Sequence, residues 1–471
     1  MKIAFMHYHL KTGGVTTCLK NQVEALKNDC DICLITGEMA KTGFAAEMIH
    51  IPQLAYSADY PHPFEPEDVA DEVVRAIESH FNGPCDIVHV HNPILAKNKK
   101  FLKILKALQE RGLSLFLQIH DFAEDGRPRS YFSENYPADC HYSVVNSRDY
   151  RILLKSGLKK QGLHQIFNTV YRSDKPQPSA ISGGGPYVVY PIRALRRKNI
   201  GESILLSFFF RGKETLAITL PPNSRADIDS YEDWKAFVSD CRLRVEFDRG
   251  LNHPYEAMVA SARYLLTTSI TEGFGFSFLE PWLFDKMVWG RKLSDICADF
   301  EANGVSFDHM YTNLNVPVDW FELDHFYKKW KRTIQHTANL FELIIDDNDI
   351  QNTFASLTAD GTIDFGLLDE GFQKQVISRL VKQNAHARVD ELLSLNPGLA
   401  VIGRSANEKV EANRNAVERS YNMEQYRLKL LKIYAHVATT SVRQRINKKT
   451  LLAEFLDLTK FSLLKWGDYG A

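Results

Sequence analysis

The stretch TTSITEGFGFSFLEPWLF, residues 267–284, combines the end of a strand, a loop with two glycines, and two carboxylates. Its apolar start predicts a strand that ends at Ile270, and the residues from Phe276 onward predict the start of a helix. Glu272 then lies in the loop, and Glu280 lies about one turn inside the helix. Carboxylates accept hydrogen bonds from hydroxyl groups, and the first amides of a helix attract anions. The stretch therefore predicts a site for a polyol and a phosphate. Taken alone, the two carboxylates could instead be a general acid and a general base.

Two adjacent glycines follow the first predicted strand. Gly13 and Gly14, in HYHLKTGGV, lie where the chain turns into a helix. Glycine lets the backbone come close to an anion or a sugar at such a turn. The pair differs from the G-x-G-x-x-G pattern of dinucleotide sites, so a nicotinamide cofactor is not expected. A plain tight turn remains the alternative reading.

Polar residues end two further strands in the first half of the chain. The strand DIVHVH ends in two histidines, and the strand LSLFLQIH ends in His120, which Asp121 follows. In open α/β sheets, residues at the carboxyl ends of the strands line the ligand crevice. His120 is therefore expected to contact a ligand, with a purely structural hydrogen-bonding role as the alternative.

A group of cations, YPIRALRRKN, follows the first strand of the second half. Arg193 and Lys198 lie five residues apart, with two more arginines between them. Arginine binds phosphate through its planar fork and lysine acts as a point charge, so this group suits a diphosphate. A solvated basic turn is the alternative. No metal site is expected, because no H-E-x-x-H spacing occurs and Asp227 and Asp229 fall in a loop rich in Pro, Asn and Ser.

Strand and helix patterns alternate in both halves of the chain, which is typical of parallel α/β sheets. A stretch rich in Pro, Ser and Gly, residues 171–186, separates the halves and indicates a linker. Two such domains imply a cleft between them, where ligands usually bind. The predicted strands are KIAFMH from Lys2, DICLIT from Asp31, DIVHVH from Asp86, LSLFLQIH from Leu113, HYSVVN from His141, YVVYPI from Tyr187, TLAITL from Thr215, RVEF from Arg244 and YLLTTSI from Tyr264.

Residues from about 291 to 400 read as a mainly helical insertion, whose aromatic residues recur at helical spacing and are expected in a core. Helices resume towards the C-terminus. The last one is expected to pack on the body of the protein, with peripheral membrane contact left open.

The composition excludes some partners. The chain has 57 basic and 58 acidic residues, so no general attraction to nucleic acid is expected. Seven cysteines, with no secretory signal and no apolar run long enough to span a membrane, predict reduced thiols in the cytoplasm. Cys30 and Cys33 form a lone C-x-x-C pair, which is read as structural because no second pair completes a zinc site.

Together these residues resemble the retaining glycosyltransferases with two Rossmann-like domains, the GT-B fold, and in particular glycosyltransferase family four. EGFGFSFLE matches the family's pattern of two glutamates with seven residues between them. Weaker support comes from GGV after the first strand, the His-Asp pair, Asn168 in IFNTV, and Arg193 with Lys198. In place of the small residues and glycine-proline turn usual in the family, Pro281 and Trp282 follow here, which indicates altered packing beside the nucleotide.

The resemblance implies a role for each matched residue. Glu272 and the backbone of Gly273, Phe274, Gly275 and Phe276 would bind the donor sugar and its phosphates, and Glu280 would bind the ribose. Arg193 and Lys198 would neutralise the leaving diphosphate in place of a metal. Gly13 and Gly14 would approach the phosphates or the acceptor, and His120 would touch the donor sugar near the reacting carbon. The residues expected near the acceptor are Asp121, Arg127, Asn146 and Asn168.

The resemblance also implies an organisation of the chain. Residues 1–172 would form the acceptor-binding domain and residues 173–186 the linker. Residues 187–438 would form the nucleotide-sugar-binding domain with its insertion, and residues 439–471 a helical tail.

The expected function is transfer of a hexose from a nucleotide-diphosphate sugar to a hydroxyl acceptor, with retention and without a metal or other cofactor. Two alternatives are a sugar phosphorylase of the same fold and an inactive binding or scaffold subunit. The acceptor is expected to be a small molecule, a glycan or a lipid-linked sugar. Basic residues in the loops of the first domain favour an acceptor with a carboxylate or phosphate. They are Lys97, Lys99, Lys100, Arg127 and Arg129.

Overall fold

The computed structural model describes residues 1–11, 13–39, 43–172, 186–223, 225–382, 385–404 and 407–467. The chain divides into two compact units. Unit 1 comprises Met1–Val170 and Ser420–Leu456, and unit 2 comprises Tyr171–Arg419 and Asp457–Ala471. Residues 173–185 of the predicted linker lie outside the described residues. The division differs from the predicted boundary at residue 438, because part of the C-terminal region belongs to unit 1.

Parallel strands form the centre of unit 1. Its strands and helices are β1 (Lys2–His7), α1 (Gly14–Leu26), β2 (Asp31–Thr36), β3 (Glu47–His50), α2 (Pro66–Phe81), β4 (Ile87–His91), α3 (Phe101–Glu110), β5 (Leu115–Ile119), β6 (His141–Val144), α4 (Ser147–Lys155) and β7 (Leu163–Gln165). They form one sheet in the order β3-β2-β1-β4-β5-β6-β7. The central strands are buried along almost their whole length, as expected when helices cover both faces of a parallel sheet.

All five strands predicted for the first half are present; β1 and β2 have the predicted bounds, and the ends of the other three shift by at most two residues. The edge strands β3 and β7 were not predicted. They contain only four and three residues and are partly exposed, so neither carries a long apolar run that would indicate a strand.

A second parallel sheet forms the centre of unit 2. Its elements are β8 (Tyr187–Arg193), α5 (Ile200–Leu206), β9 (Thr215–Leu220), α6 (Arg225–Asp240), β10 (Val245–Glu246), α7 (Arg249–Asn252), α8 (Tyr255–Ser261), β11 (Ala262–Thr267), α9 (Glu280–Leu283) and β12 (Val288–Gly290). The strand order is β10-β9-β8-β11-β12. The four predicted strands are present, although β11 ends three residues before the predicted Ile270, and the short β12 was not predicted.

The region after β12 is mainly helical, as predicted. It contains α10 (Ser294–Ala302), β13 (Asn315–Pro317), α11 (Leu323–Leu340), α12 (Asp347–Leu357), β14 (Thr362–Asp364), α13 (Glu370–Val381) and α14 (Ala385–Leu395). β13 and β14 form a small antiparallel pair. Trp320, Phe326 and Trp330 are buried, which confirms that these aromatic residues belong to a core.

The C-terminal region contains α15 (Asn407–Ser420), α16 (Met423–Thr439), α17 (Lys448–Phe455) and α18 (Leu463–Trp466). One face of α16 packs on the sheet of unit 1, where Leu430 and Tyr434 join a buried cluster with Phe5 and Phe116. Removing such apolar surface from water is the main force that holds a helix on a sheet, and it explains why this helix belongs to unit 1. Among the described residues, no helix combines the length and the apolar composition needed to cross a membrane.

Candidate functional site

The predicted site residues of unit 1 gather at one edge of its sheet. Because the strands are parallel, their carboxyl ends lie along the same edge. His91 ends β4, His120 follows β5, and the two glycines follow β1 at the start of α1. The edge therefore contains residues from distant parts of the sequence.

The start of α1 is open. Helix α1 begins at Gly14, and Gly13 precedes it with an extended backbone. A Cβ atom added to Gly14 would meet no described atom within 4 Å, and one added to Gly13 would meet only the carbonyl oxygen of Lys11, at 4.0 Å. The described residues therefore leave open space on the side of the Cα atoms where a side chain would lie.

A row of buried histidines lies next to this edge. His91 Nδ1 and His120 Nε2 lie 2.9 Å apart, at hydrogen-bonding distance. The rings of His91 and His120 stack with centroids 5.2 Å apart, and those of His89 and His91 with centroids 4.6 Å apart. Burial lowers the pKa of His120 to about 4 and that of His89 to about 3. These imidazoles are neutral near pH 7, so His120 can exchange hydrogen bonds with a ligand but brings no positive charge.

Asn92 holds the backbone that carries His120. Its φ of 51° lies in the left-handed region, where asparagine is among the better tolerated residues. Its Oδ1 accepts hydrogen bonds from the backbone amides of His120 at 2.8 Å and Asp121 at 3.0 Å. No role was predicted for Asn92. The Asn-Pro pair at the end of the strand, which favours a turn, was the available signal.

The four predicted acceptor residues have partners within unit 1. Arg127 forms an ion pair with Asp121 at 2.6 Å. Asn146 caps α4, where its side chain accepts from the backbone amide of Asp149 at 2.7 Å. Asn168 is buried and accepts a hydrogen bond from the thiol of Cys18 at 2.9 Å. These contacts give Asn146 and Asn168 structural roles, whereas the Asp121–Arg127 pair is only half buried.

Three side chains of unit 1 could offer metal ligands at this edge. One ligand atom each from Cys18, His91 and His120 lies within 4.8 Å of the others. Burial raises the pKa of the Cys18 thiol to about 12, so the sulfur is protonated near pH 7, and its hydrogen goes to Asn168. Metals bind the thiolate, so this protonated sulfur, which donates its hydrogen to Asn168, is not arranged as a metal ligand.

In unit 2, the hydroxyl group of Tyr190 joins two loops. Tyr190 is buried in β8, and its hydroxyl donates to the carbonyl of Lys198 at 2.6 Å. The same oxygen accepts from the backbone amide of Thr268 at 3.2 Å and lies 3.2 Å from Ser269 Oγ. The loop after β8 is thereby fixed against the loop after β11. Tyr190 was not predicted, because a tyrosine in an apolar strand looks like an ordinary core residue.

Glu272 and two cations meet between these loops. Lys198 Nζ forms a close ion pair with Glu272 Oε1, and an Arg197 guanidinium nitrogen lies 3.9 Å from Glu272 Oε2. Burial would raise the pKa of Glu272, but the charges of Lys198 and Arg197, with hydrogen bonds from Lys198 and Ser269, lower it below its ordinary value. The carboxylate is therefore ionised and almost fully buried, with 9% of its surface exposed.

The other two arginines of the basic stretch have different partners. Arg193 ends β8 and donates to the carbonyl of Pro221 at 3.0 Å. Arg196 forms a two-pronged ion pair with Glu370 at 2.5 and 2.7 Å. The structure thus brings Lys198 onto Glu272 together with Arg197, which was noted in the sequence but assigned no role. None of the hydrogen bonds or ion pairs described here links Arg193 to that carboxylate.

The glycine loop leads into a shorter helix than predicted. A single 3₁₀ turn spans Phe276–Phe278, and α9 begins at Glu280, with Pro281 in its first turn. The prediction that Glu280 lies one turn inside a helix was wrong. Proline lacks an amide hydrogen and clashes with the preceding turn, so an α-helix cannot continue through Pro281 from Phe276.

The backbone conformation and the close neighbours of Gly275 both favour glycine at this position. Its φ of 93° lies in the left-handed region, and an added Cβ would lie 2.8 Å from a ring atom of Phe278. Phe274 is buried against Phe276 and Phe300, so its side chain belongs to the core. Gly273, like Phe274, makes interactions of its own within the structure. Any ligand contact at Phe274 would therefore come from its backbone.

Glu280 lies in a different environment from Glu272. The hydroxyl of Tyr255 donates to Glu280 Oε2 at 3.3 Å. Burial raises the pKa of Glu280, and the hydrogen bond from Tyr255 offsets part of this effect. The two glutamates therefore differ: one is held ionised by cations, while the other is a less acidic carboxyl with a neutral donor.

Two units, each with a parallel sheet and polar residues at the carboxyl edge, define the GT-B class of fold, as predicted. No protein-family model matches the chain. Over 491 aligned residues, 94% of this chain and 91% of the relative, it is 24% identical to the mannosylglucosyl-3-phosphoglycerate synthase of Petrotoga mobilis.

Solved structures show the same fold. The structure of sucrose-phosphate synthase from Thermosynechococcus elongatus superimposes with a TM-score of 0.53 at 13% identity, covering 92% of this chain and 98% of that one. The structure of HepE from Anabaena in complex with UDP-glucose gives a TM-score of 0.52 at 12% identity, covering 92% and 99%. These comparisons confirm the predicted fold class and group the chain with glycosyltransferases.

Proposed function

We propose that the chain is a retaining glycosyltransferase of the family-four type, which moves a hexose from a nucleotide-diphosphate sugar to a hydroxyl group without a metal ion. The observation that carries the proposal is the pairing of Lys198 and Arg197 with the buried Glu272 at the carboxyl edge of unit 2. The two cations can bind a diphosphate, and the carboxylate beside them can accept hydrogen bonds from the hydroxyl groups of a sugar. The name of the relative from Petrotoga mobilis supports the same class of reaction.

In the proposed reaction, donor binding changes the partner of Lys198. Its ammonium leaves Glu272 for an oxygen of the diphosphate, where negative charge grows as the bond to the sugar breaks. Glu272 then accepts hydrogen bonds from hydroxyl groups of the sugar. Because the cations are already held in position, little reorganisation is required at the moment of reaction. Arg197 assists Lys198, and Arg193 can join them by giving up its bond to the Pro221 carbonyl.

Retention follows when the acceptor attacks from the face that the diphosphate leaves. The bond between the anomeric carbon and the phosphate oxygen breaks, and the bond to the acceptor oxygen forms on the same face. The acceptor proton passes to the departing phosphate oxygen, so the step needs no further base. His120, neutral near pH 7, would hydrogen-bond a sugar hydroxyl beside the reacting carbon, and Glu280 would accept from the ribose.

The acceptor is proposed to carry a phosphate or a carboxylate. Lys97 and Arg127 are the two cations of unit 1 that this proposal assigns to the anionic group of the acceptor. The pKa of Lys97 lies below its ordinary value, first because neighbouring groups displace water from the ammonium and then because of Arg127, while Asp121 acts in the opposite direction. A phosphate or carboxylate of the acceptor would reduce the repulsion between Lys97 and Arg127. The name of the Petrotoga mobilis relative includes phosphoglycerate, which carries both anionic groups.

A cytoplasmic location is part of this proposal, and the seven cysteines, all free of disulfides, support it. A sugar phosphorylase and an inactive scaffold are the competing functions. The ionised Glu272 with Lys198 and Arg197 favours an enzyme over a scaffold, because these groups can stabilise charge that develops in a reaction.

The first experiment measures the melting temperature with a panel of nucleotide sugars, nucleotides and sugar phosphates, with EDTA present. A ligand that binds the folded state raises the melting temperature by mass action. We expect stabilisation by one nucleotide sugar and by its nucleoside diphosphate. Stabilisation by sugar phosphates alone would favour the phosphorylase, and no stabilisation by any compound would favour the scaffold.

The second experiment supplies that donor and follows release of the nucleoside diphosphate with neutral and phosphorylated or carboxylated acceptors. Glu272→Gln, which removes the charge but keeps the shape, should abolish turnover. Nuclear magnetic resonance of the product should show the anomeric configuration of the donor. An inverted product would refute retention, and equal rates with neutral and anionic acceptors would refute the acceptor proposal.

A further inference from the structure

A second group of histidines lies in unit 1, away from the carboxyl edge of the sheet. His141 begins β6, His164 lies in β7, and His436 lies near the end of α16. The ring centroids are 5.2 Å apart for His141 and His164, 5.7 Å for His141 and His436, and 5.6 Å for His164 and His436. One nitrogen from each ring lies within 4.8 Å of the other two. His141 is buried, whereas the other two are partly exposed, so small ions have access.

Backbone carbonyl groups fix the tautomers of two of these rings. His141 Nε2 lies 2.7 Å from the carbonyl oxygen of Thr440, and His436 Nε2 lies 2.9 Å from that of Gln161. A carbonyl oxygen can only accept, so both Nε2 atoms carry hydrogen. Each Nδ1 atom therefore has a lone pair. Histidines that bind metals usually donate their second nitrogen to a carbonyl or carboxylate in this way.

His164 links the two fixed rings. Its Nε2 lies 3.0 Å from His141 Nδ1 and must supply the hydrogen, because that Nδ1 has only a lone pair. The distance is close to the separation of about 3.3 Å between two nitrogens bound to one tetrahedral zinc ion. None of the described hydrogen bonds involves His164 Nδ1. The hydrogen of His164 can therefore move to Nδ1 and free the lone pair of Nε2, with no net change in protons.

We propose that His141 Nδ1, His164 Nε2 and His436 Nδ1 bind one late first-row divalent metal ion, with Zn²⁺ as the expected ion. Imidazole nitrogens suit this class of ion, and three histidines leave a fourth position for water. The hydroxyl of Thr440, 3.3 Å from His436 Nδ1, would turn away when the ion binds. The ion would join α16 to β6 and β7, and so hold this helix on the sheet of unit 1.

The test uses the full chain without an affinity tag, stripped with EDTA and titrated with Zn²⁺ in a calorimeter. We expect one tight equivalent for the unaltered chain and its loss in His164→Gln and in His436→Gln. His141 is left intact because its buried ring also holds the Thr440 carbonyl. His325→Gln, at an exposed position of α11, is the matched control and should keep the full equivalent. Zinc should also raise the melting temperature of the unaltered chain but not of the first two variants.

Two further measurements separate this site from others. The charge of Lys429 acts on His164 and opposes a bound cation, so Lys429→Gln should tighten zinc binding several-fold. With Co²⁺ in place of zinc, the absorption spectrum should lack a thiolate charge-transfer band. Absence of a tight equivalent, an unchanged equivalent in both His164→Gln and His436→Gln, or a thiolate band that disappears in Cys18→Ser would overturn the proposal.

Discussion

The carboxyl edges of the two sheets both carry polar side chains, but those of unit 1 include neutral histidines and those of unit 2 include charged groups. In unit 1 the edge is lined by buried histidines that burial keeps neutral, with His120 having a pKa of about 4. In unit 2 the edge carries an ionised Glu272 held by Lys198 and Arg197. Both sheets are parallel, so topology places polar residues at both edges but does not decide their charge. An ionisable side chain that is buried without a partner of opposite charge becomes neutral, whereas one that is buried with such a partner stays ionised.

The difference suits the two substrates of the proposed reaction. A nucleotide-diphosphate sugar brings fixed negative charge, which the cations of unit 2 can stabilise as the sugar leaves. In unit 1, the neutral imidazole of His120 can hydrogen-bond hydroxyl groups without attracting the diphosphate. The predictions below test whether the two edges differ in this way.

The largest expected effect is a loss of stability of unit 1 at acidic pH. His7 and His89, each with a pKa of about 3, and His120 are neutral when folded but have pKa values near 6.5 when unfolded. Their contribution is complete above pH 6.5 and is lost by about 1.4 kcal/mol per pH unit for each histidine, as the pH falls towards 4 for His120 and towards 3 for His7 and His89. Among the described histidines of unit 2, only His309 has a lowered pKa.

Hydrogen exchange at pH 7.5 and 5.0, corrected for the intrinsic rate, measures this difference. Amides of β1, β4 and β5 should lose more protection than those of β8 and β11. His120→Gln should reduce the loss of stability between pH 7.5 and 5.0 by about the contribution of one histidine. Equal losses in both units would contradict the contrast between the edges.

The second effect is catalytic. Lys198→Ala should lower kcat/KM for the donor by about 100-fold or more, because the growing charge on the diphosphate loses its closest cation. Steady-state kinetics with the donor identified by thermal shift measures this. Lys292→Ala, which breaks a 2.6 Å ion pair with Glu301 elsewhere in unit 2, is the control and should change the rate less than about twofold. If Lys198→Ala kept full activity, the charge of Lys198 would have no role in the chemistry.

The third effect concerns the loop that carries Glu272. Gly275→Ala combines an unfavourable φ with a close contact to Phe278, so it should cost about 1–3 kcal/mol of unfolding free energy and weaken donor binding. Gly361→Ala is the control, since Gly361 also has a positive φ but open space around it. Urea unfolding should show the smaller loss for Gly361→Ala. An equal or larger loss for Gly361→Ala would contradict the expected cost of the contact with Phe278.

The smallest effect is expected for Tyr190→Phe. It removes one hydroxyl and leaves the Lys198 carbonyl and the Thr268 amide without this partner, which should cost about 1–2 kcal/mol. Tyr231→Phe removes a comparable bond, to Asp248 at 2.8 Å, which does not join these two loops. Both variants should lose stability in urea unfolding, but only Tyr190→Phe should weaken nucleotide-sugar binding by calorimetry. Unchanged binding in both would show that the two loops do not need this bond.

Much of the fold could be predicted because parallel strands covered on both faces appear as apolar runs with polar residues at their ends. This made β1, β8 and β11 predictable and placed Glu272, Lys198 and His120 in the segments that follow strands. Short strands such as β12 were not predicted, because three residues are too few to show an apolar run or an alternating pattern. The length of the helix at Glu280 was missed although Pro281 signalled it.

The sequence by itself determined the two sheets, the order of their strand-end residues and the chemical types available at each edge, because these follow from local patterns of apolar and polar residues. Only the tertiary structure decided which groups meet. It brings Arg197 rather than Arg193 next to Glu272, returns α16 to unit 1, and joins His436 to two histidines nearly 300 residues earlier. The physical reason is that burial and pairing depend on neighbours from distant parts of the chain, and these set both the charge of each group and its partner.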